Sequence, residues 1–156
     1  MRLTFAVFAL ALGFSFPALA CDGEKETHAS KPYSEVDLAT FAAHVEKKTA
    51  VIVDVNKPER FAKGHVPGAI HASVSDDGKL GGATLPADKK TTLAFYCSSE
   101  RCGASAEAAE AAAAVGYASV VVYKGGIAGW EKAGKPVAKL DGKATAPVAK
   151  PTKGDG

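Results

Sequence analysis

The stretch FYCSSERCGASAEAA, residues 95–109, carries two thiols five positions apart, Cys97 and Cys102, with Glu100 and Arg101 between them. An apolar run ends at Cys97, and small and polar residues lead from it into a helix expected to start near Gly103. Open α/β sheets form their sites at the C-terminal ends of strands. The N–H groups of a loop curling into a helix N-terminus carry partial positive charge, which favours a thiolate, or the outer sulfur of a persulfide. A cysteine so placed is expected to be a nucleophile, with Arg101 adding to the field around it. The plainer alternative is a buried structural thiol, since cysteines pack as small hydrophobes. Ser98, Ser99, Glu100 and Arg101 are an odd filling for a core loop and suit an exposed cradle.

Three runs poor in polar alternation and rich in β-branched or aromatic residues supply the strands that would position this loop: Ala50 to Val55, Leu93 to Tyr96 and Ser119 to Tyr123. Such runs suit strands buried on both faces. Ser34-Glu35-Val36-Asp37 has the form of a capping box, and Leu38, Phe41, Ala42 and Val45 then repeat at helical spacing to about Lys48. Further helices are predicted at Pro58 to Lys63, at Ala104 to Val115 before Gly116, and at Ile127 to Ala133 before Gly134. A further strand is predicted at Ala69 to Ser73, after the turn-forming Pro67-Gly68. Strands alternating with helices predict an α/β domain whose central parallel sheet has helices on both faces.

The 156 residues suit one domain, and a formal net charge of +2 gives no reason to expect nucleic acid as a partner. Residues 1–20, MRLTFAVFALALGFSFPALA, have one charged residue, Arg2, then a short apolar run and small residues, which is the pattern of an export signal. Ala18-Leu19-Ala20 suits ordinary cleavage, whereas Cys21 directly after it resembles the acylated cysteine of bacterial lipoproteins; both readings stand, a soluble periplasmic protein or one anchored to the membrane by lipid. Residues 21–33 are expected to be a linker, 34–140 the domain, and 141–156, DGKATAPVAKPTKGDG, a disordered tail too poor in bulky apolar side chains to offset its ordering entropy. Export places Cys97 and Cys102 in an oxidising compartment.

The flanking motifs are similar to those of the rhodanese-like sulfurtransferases over nearly all of residues 35 to 138. VIVDVNKPERFAKGHVPGAIHAS resembles the family's first signature, a strand ending in Asp-Val-Arg, a short helix with Glu and an aromatic residue, then Gly-His-Ile-Pro-Gly-Ala. YCSSERCGASAEAAEAAAAVGYASVVVYKGGIAGWEKAGKPV resembles the active-site strand, cysteine loop, helix and Gly-Gly-Ile-x-x-Trp closing element. The resemblance implies a single rhodanese-like domain in which Cys97 is the sulfur-carrying nucleophile. It implies a ping-pong reaction: Cys97 takes the outer sulfur of a donor such as thiosulfate, releases sulfite, and passes the sulfur to cyanide or a thiol, with no cofactor and no metal. Ser98, Ser99, Glu100, Arg101, Cys102 and Gly103 would form the substrate loop, with Asp54 and His65 structural beside it.

This chain departs from the family's usual Cys-x-x-Gly-x-Arg loop: Glu100 takes the glycine position, Cys102 the arginine position, and Arg101 is displaced by one residue. An anionic Glu100 repels a dianionic donor, and Arg101 is placed to pair with Glu100 instead of with substrate. Asn56 replaces the arginine of Asp-Val-Arg. The related cysteine-arginine phosphatases want Arg where Gly103 stands. Cys102 admits three readings: a resolving thiol that closes a disulfide with Cys97, a packing residue at the helix start, or half of a static disulfide. A non-catalytic binding module and a thiol-disulfide redox protein therefore stay open beside the enzyme.

Among other residues, His28, His44, His65 and His71 lack metal-ligand spacing. His65 is expected to fix its own turn, and Trp130 to pack in the core. Lys124, beside Gly125 and Gly126, is either an anion attractor at the same sheet edge as Cys97 or a solvated loop lysine; the latter is expected.

Overall fold

The β-branched runs form the middle of the sheet. The computed structural model describes residues 31–82 and 84–140. In chain order the elements are β1 (Ser34–Val36), α1 (Leu38–Lys47), β2 (Val51–Asp54), α2 (Pro58–Lys63), β3 (Ile70–His71), β4 (Ser73–Val74), β5 (Leu80–Gly81), β6 (Leu93–Tyr96), α3 (Ala104–Ala114), β7 (Val120–Tyr123) and α4 (Gly126–Lys132). Five strands pair in parallel in the order β1-β7-β6-β2-β3, and β4 and β5 form a separate antiparallel pair. Residues 1–30 and 141–156, which include the expected signal, Cys21, most of the linker and the tail, lie outside the described residues.

β6 shows why its sequence lacks polar alternation. Its side chains alternate between two apolar layers, so both faces must be hydrophobic. Leu93 and Phe95 join Val53, Val122, Ala108, Ala109 and Ala112 on the α3 side, and Cys97 continues their parity beyond the strand. Ala94 and Tyr96 join Phe41, Ile52, Ile127 and Trp130 on the side covered by α1 and α4. Phe41 stacks on Tyr123 at 4.7 Å and meets Tyr96 and Trp130 edge-on, each at 5.7 Å. The indole Nε1 of Trp130 donates to Pro136 O at 2.7 Å, satisfying the polar end of a core side chain.

Two expectations change. The capping box at Ser34 is replaced by a strand: Ser34, Glu35 and Val36 pair with Val121, Val122 and Tyr123. Asp37 is the N-cap, its carboxylate accepting the Thr40 N–H at 2.8 Å. A carboxylate three residues before an N–H satisfies an orphan donor directly, and it frees Ser34 to lie in the sheet. The strand predicted over 69–73 is divided into β3 in the sheet and β4 in a hairpin with β5, a pairing unseen in the sequence reading.

Candidate functional site

Cys97 lies one residue past the end of β6, the central strand, and is 1% exposed. Its backbone is held by α4, whose first amides point at the loop: Ile127 N–H donates to Cys97 O at 2.8 Å and Ala128 N–H to Ser98 O at 3.0 Å. That contact needs a glycine at the helix start. Gly126 has φ +61°, and a Cβ there would lie 2.6 Å from Cys97 O, Ser98 C and Ser99 N. Tyr123, at the end of β7, lies over the same helix, where a Cβ on Gly129 would meet its hydroxyl at 2.7 Å.

Cys97 and Cys102 are joined as a disulfide, with Cα atoms 6.4 Å apart, inside the span that such a bond tolerates. Cys102 is half-buried and also packs against the α3-side core. Of its three readings, the structure thus shows the pairing and the packing together. Cys97 Sγ lies 3.4 Å from Cys102 O and 3.9 Å from Ser99 O. These are acceptors, which corrects the expectation of N–H groups converging on the sulfur. Within the loop, Cys102 N–H donates to Ser99 O at 3.0 Å, and in the first turn of α3 Ala106 and Glu107 N–H donate to Gly103 O at 2.9 and 3.2 Å. Gly103 is the N-cap of α3 and has ordinary helical angles.

Ser98 and Ser99 are half-buried, and Glu100 and Arg101 are exposed. Glu100 and Arg101 do not pair with each other among the ion pairs of the described residues, contrary to expectation. Instead they stand, with Ser99, on one wall of a cleft of about 450 Å³ whose other wall is Gly125, Ala128, Gly129 and Lys132 of the α4 region. Burial raises the pKa of Tyr123, and the charge of Glu100 raises it further. Lys132 was missed by the sequence reading; only its position on α4, on the same face as Ala128 and Gly129 and one turn further along, brings it to the loop. Lys124 instead lies near Glu35, whose pKa it helps to lower after Lys31 does so more strongly.

Asp54 is fully buried at the end of β2 and is a hydrogen-bond acceptor. Its Oδ1 takes Asn56 N at 2.7 Å and Asn56 Nδ2 at 2.8 Å. Asn56 also accepts His71 Nε2 on its carbonyl at 2.7 Å, so the residue in place of the family's arginine still ties this corner together. Beside it, the Tyr96 hydroxyl accepts Val66 N–H at 2.9 Å. Burial, and then the charge of Asp54, push the Tyr96 phenol well above its ordinary range. His65 Nδ1 donates to Phe61 O at 2.9 Å, its ring stacks on Phe61 at 3.9 Å, and its backbone pairs with Ala138. Arg60 forks onto Glu131 at 3.0 and 3.1 Å, fastening α2 to α4.

A parallel five-stranded sheet with a cysteine loop between its central strand and a covering helix defines a recognised class. The rhodanese-like domain model matches residues 37–133, and the chain belongs to that family. It is 31% identical over 96 residues to the Arabidopsis thaliana protein named dual specificity phosphatase Cdc25, covering 56% of this chain and 66% of that relative's length. Among solved structures, the BH2092 protein of Bacillus halodurans superposes with a TM-score of 0.59 at 24% identity, over 80% of this chain and 90% of that one. The human single-domain sulfurtransferase TSTD1 superposes with a TM-score of 0.53 at 24% identity, over 63% of this chain and 95% of that one. At such identities the two superpositions establish the shared fold.

Proposed function

We propose that the protein is a sulfurtransferase that carries sulfane sulfur on Cys97. The observation that carries this reading is the position of Cys97: directly past the central strand of a rhodanese-like sheet, with its backbone fixed by α4 and with Arg101, Lys132 and Glu100 lining a cleft on the same loop. With the disulfide opened, the Cys97 thiolate attacks the outer sulfur of a donor such as thiosulfate. The sulfur–sulfur bond of the donor breaks, sulfite leaves with the bonding pair, and Cys97 keeps the outer sulfur as a persulfide. Cyanide or a thiolate then attacks that sulfur and returns the Cys97 thiolate. Arg101 and Lys132 supply positive charge for an anionic donor, and Glu100 opposes a dianion at the same rim.

The two carbonyls lie beside Sγ in a structure where the Cys97–Cys102 bond is closed. Reduction releases the loop from 97 to 102, so that its amides can turn towards the sulfur and meet the negative charge of a persulfide. The phosphatase activity in the plant relative's name finds less support, because Gly103 stands where cysteine-arginine phosphatases need arginine to hold phosphate. The disulfide itself favours, as a second reading, a thiol-disulfide exchange protein. The first 21 residues support an exported protein, periplasmic and either free or lipid-anchored on Cys21.

The test is intact-protein mass after reduction and exposure to a sulfane donor. The wild type should gain about 32 Da and yield thiocyanate with cyanide, and Cys97→Ser should do neither. A reduced wild type that takes sulfur from no sulfane donor, while keeping its fold, would instead leave a binding module.

A further inference from the structure

We infer that Cys102 gives this domain a second activity: it resolves the Cys97 persulfide intramolecularly, releasing hydrosulfide and closing the disulfide. The inference rests on the sulfur-carrier reading above and adds the fate of the sulfur. The decisive observation is which atom Cys102 reaches. Its sulfur bonds Cys97 Sγ itself, across a Cα separation of 6.4 Å. In a loaded protein that atom is the inner sulfur of the persulfide. Attack on the inner sulfur expels the outer one, whereas attack on the outer sulfur would only move the persulfide from one cysteine to the other.

The step balances. The Cys102 thiol passes its proton to the outer sulfur of the persulfide and its electron pair to Cys97 Sγ, the Sγ–S bond breaks, and the outer sulfur leaves with that bonding pair as HS⁻. The sulfane sulfur is reduced by two electrons, and the two cysteines are oxidised to the disulfide. Resetting requires a dithiol reductant, which is oxidised to its own disulfide as Cys97 and Cys102 return to thiols. The structure distinguishes the two cysteines for that reductant: as residues, Cys97 is 1% exposed, whereas Cys102 is half-buried. The reductant therefore attacks Cys102, and Cys97 leaves as the thiolate, which is the form that accepts the next sulfur.

The position of Cys102 in the loop fits this role. Cys102 occupies the site at which the family's usual loop places an arginine, so a group that would hold the donor is exchanged for one that consumes the persulfide. The separation from ordinary transfer is kinetic: an external acceptor competes with a thiol already in bonding range.

The experiment is a single turnover without added thiol. Reduced, desalted full-length protein is mixed with thiosulfate or, in parallel, the monoanionic methanethiosulfonate ion, which yields its outer sulfur to Cys97 as methanesulfinate leaves; free sulfide and intact mass are then measured. The wild type should release about one equivalent of sulfide and end about 2 Da below its dithiol mass. Cys102→Ser and Cys102→Ala should each retain a mass gain of about 32 Da and release less than about a tenth as much sulfide. A wild type that keeps the added sulfur, and yields it only to cyanide or a thiol, overturns the inference and leaves the sulfur carrier standing. If neither the wild type nor the variants take up sulfur from either donor, the carrier reading fails and this inference falls with it.

Discussion

Glu100 stands three residues past Cys97 on the rim of the cleft, exposed, and near enough to Tyr123 for its charge to raise that phenol's pKa. The same charge acts on any anion that approaches the loop. Arg101 and Lys132 offset it without pairing with it, since neither forms an ion pair with Glu100 among the described residues. A dianionic donor meets two cations and one anion, and a neutral glutamine would leave the cations unopposed. Glu100→Gln is expected to raise kcat/KM for thiosulfate roughly fivefold at low ionic strength, the scale of one unit charge acting on a dianion across a few ångströms of surface. The gain should shrink as salt is added, because exposed charges are screened. Alkaline difference absorbance supplies an independent reading: the same substitution should lower the Tyr123 pKa, leaving only burial to raise it.

At the scale of elements, the site is a junction between β6 and α4. The loop carbonyls of Cys97 and Ser98 are satisfied by amides of α4, and the helix comes close enough to do so only because Gly126 lacks a side chain. Gly126→Ala combines a left-handed backbone position with overlap against three loop atoms, and should cost roughly 2 kcal/mol or more in urea unfolding. Sulfur loading should fall as well, since a displaced α4 releases the Cys97 backbone. The sequence disclosed one side of this junction better than the other. β2, β6 and β7 were legible because burial on both faces demands uninterrupted apolar runs, and Cys97 was legible because a thiol follows such a run directly. β1 was not, because only Val36 of its three residues turns partly inward, and a short polar edge strand looks like a helix cap. Lys132 joins the cleft, and carbonyls rather than amides face Sγ, through how α4 and the loop settle against each other, which no spacing along the chain records.

For the molecule as a whole, a cycle between dithiol and disulfide requires that the fold not depend on the bond. The bond closes a short loop, residues 97 to 102, at one edge of the sheet. In the chain-entropy account a loop of this length contributes about 2 kcal/mol, a minor part of the stability expected of one domain. The rest resides in the two apolar layers on either side of the parallel sheet, centred on Phe95 and Val122 on one face and on Phe41 and Trp130 on the other. Reduction should therefore lower unfolding stability by about 2 kcal/mol while leaving the far-ultraviolet circular dichroism of the native protein unchanged. Amide hydrogen exchange should rise in the loop and the first turn of α3 and stay slow in β2, β6 and β7. Were reduction to unfold the sheet, the disulfide would be a structural staple, and Cys97 could not be set free to accept sulfur in a folded protein.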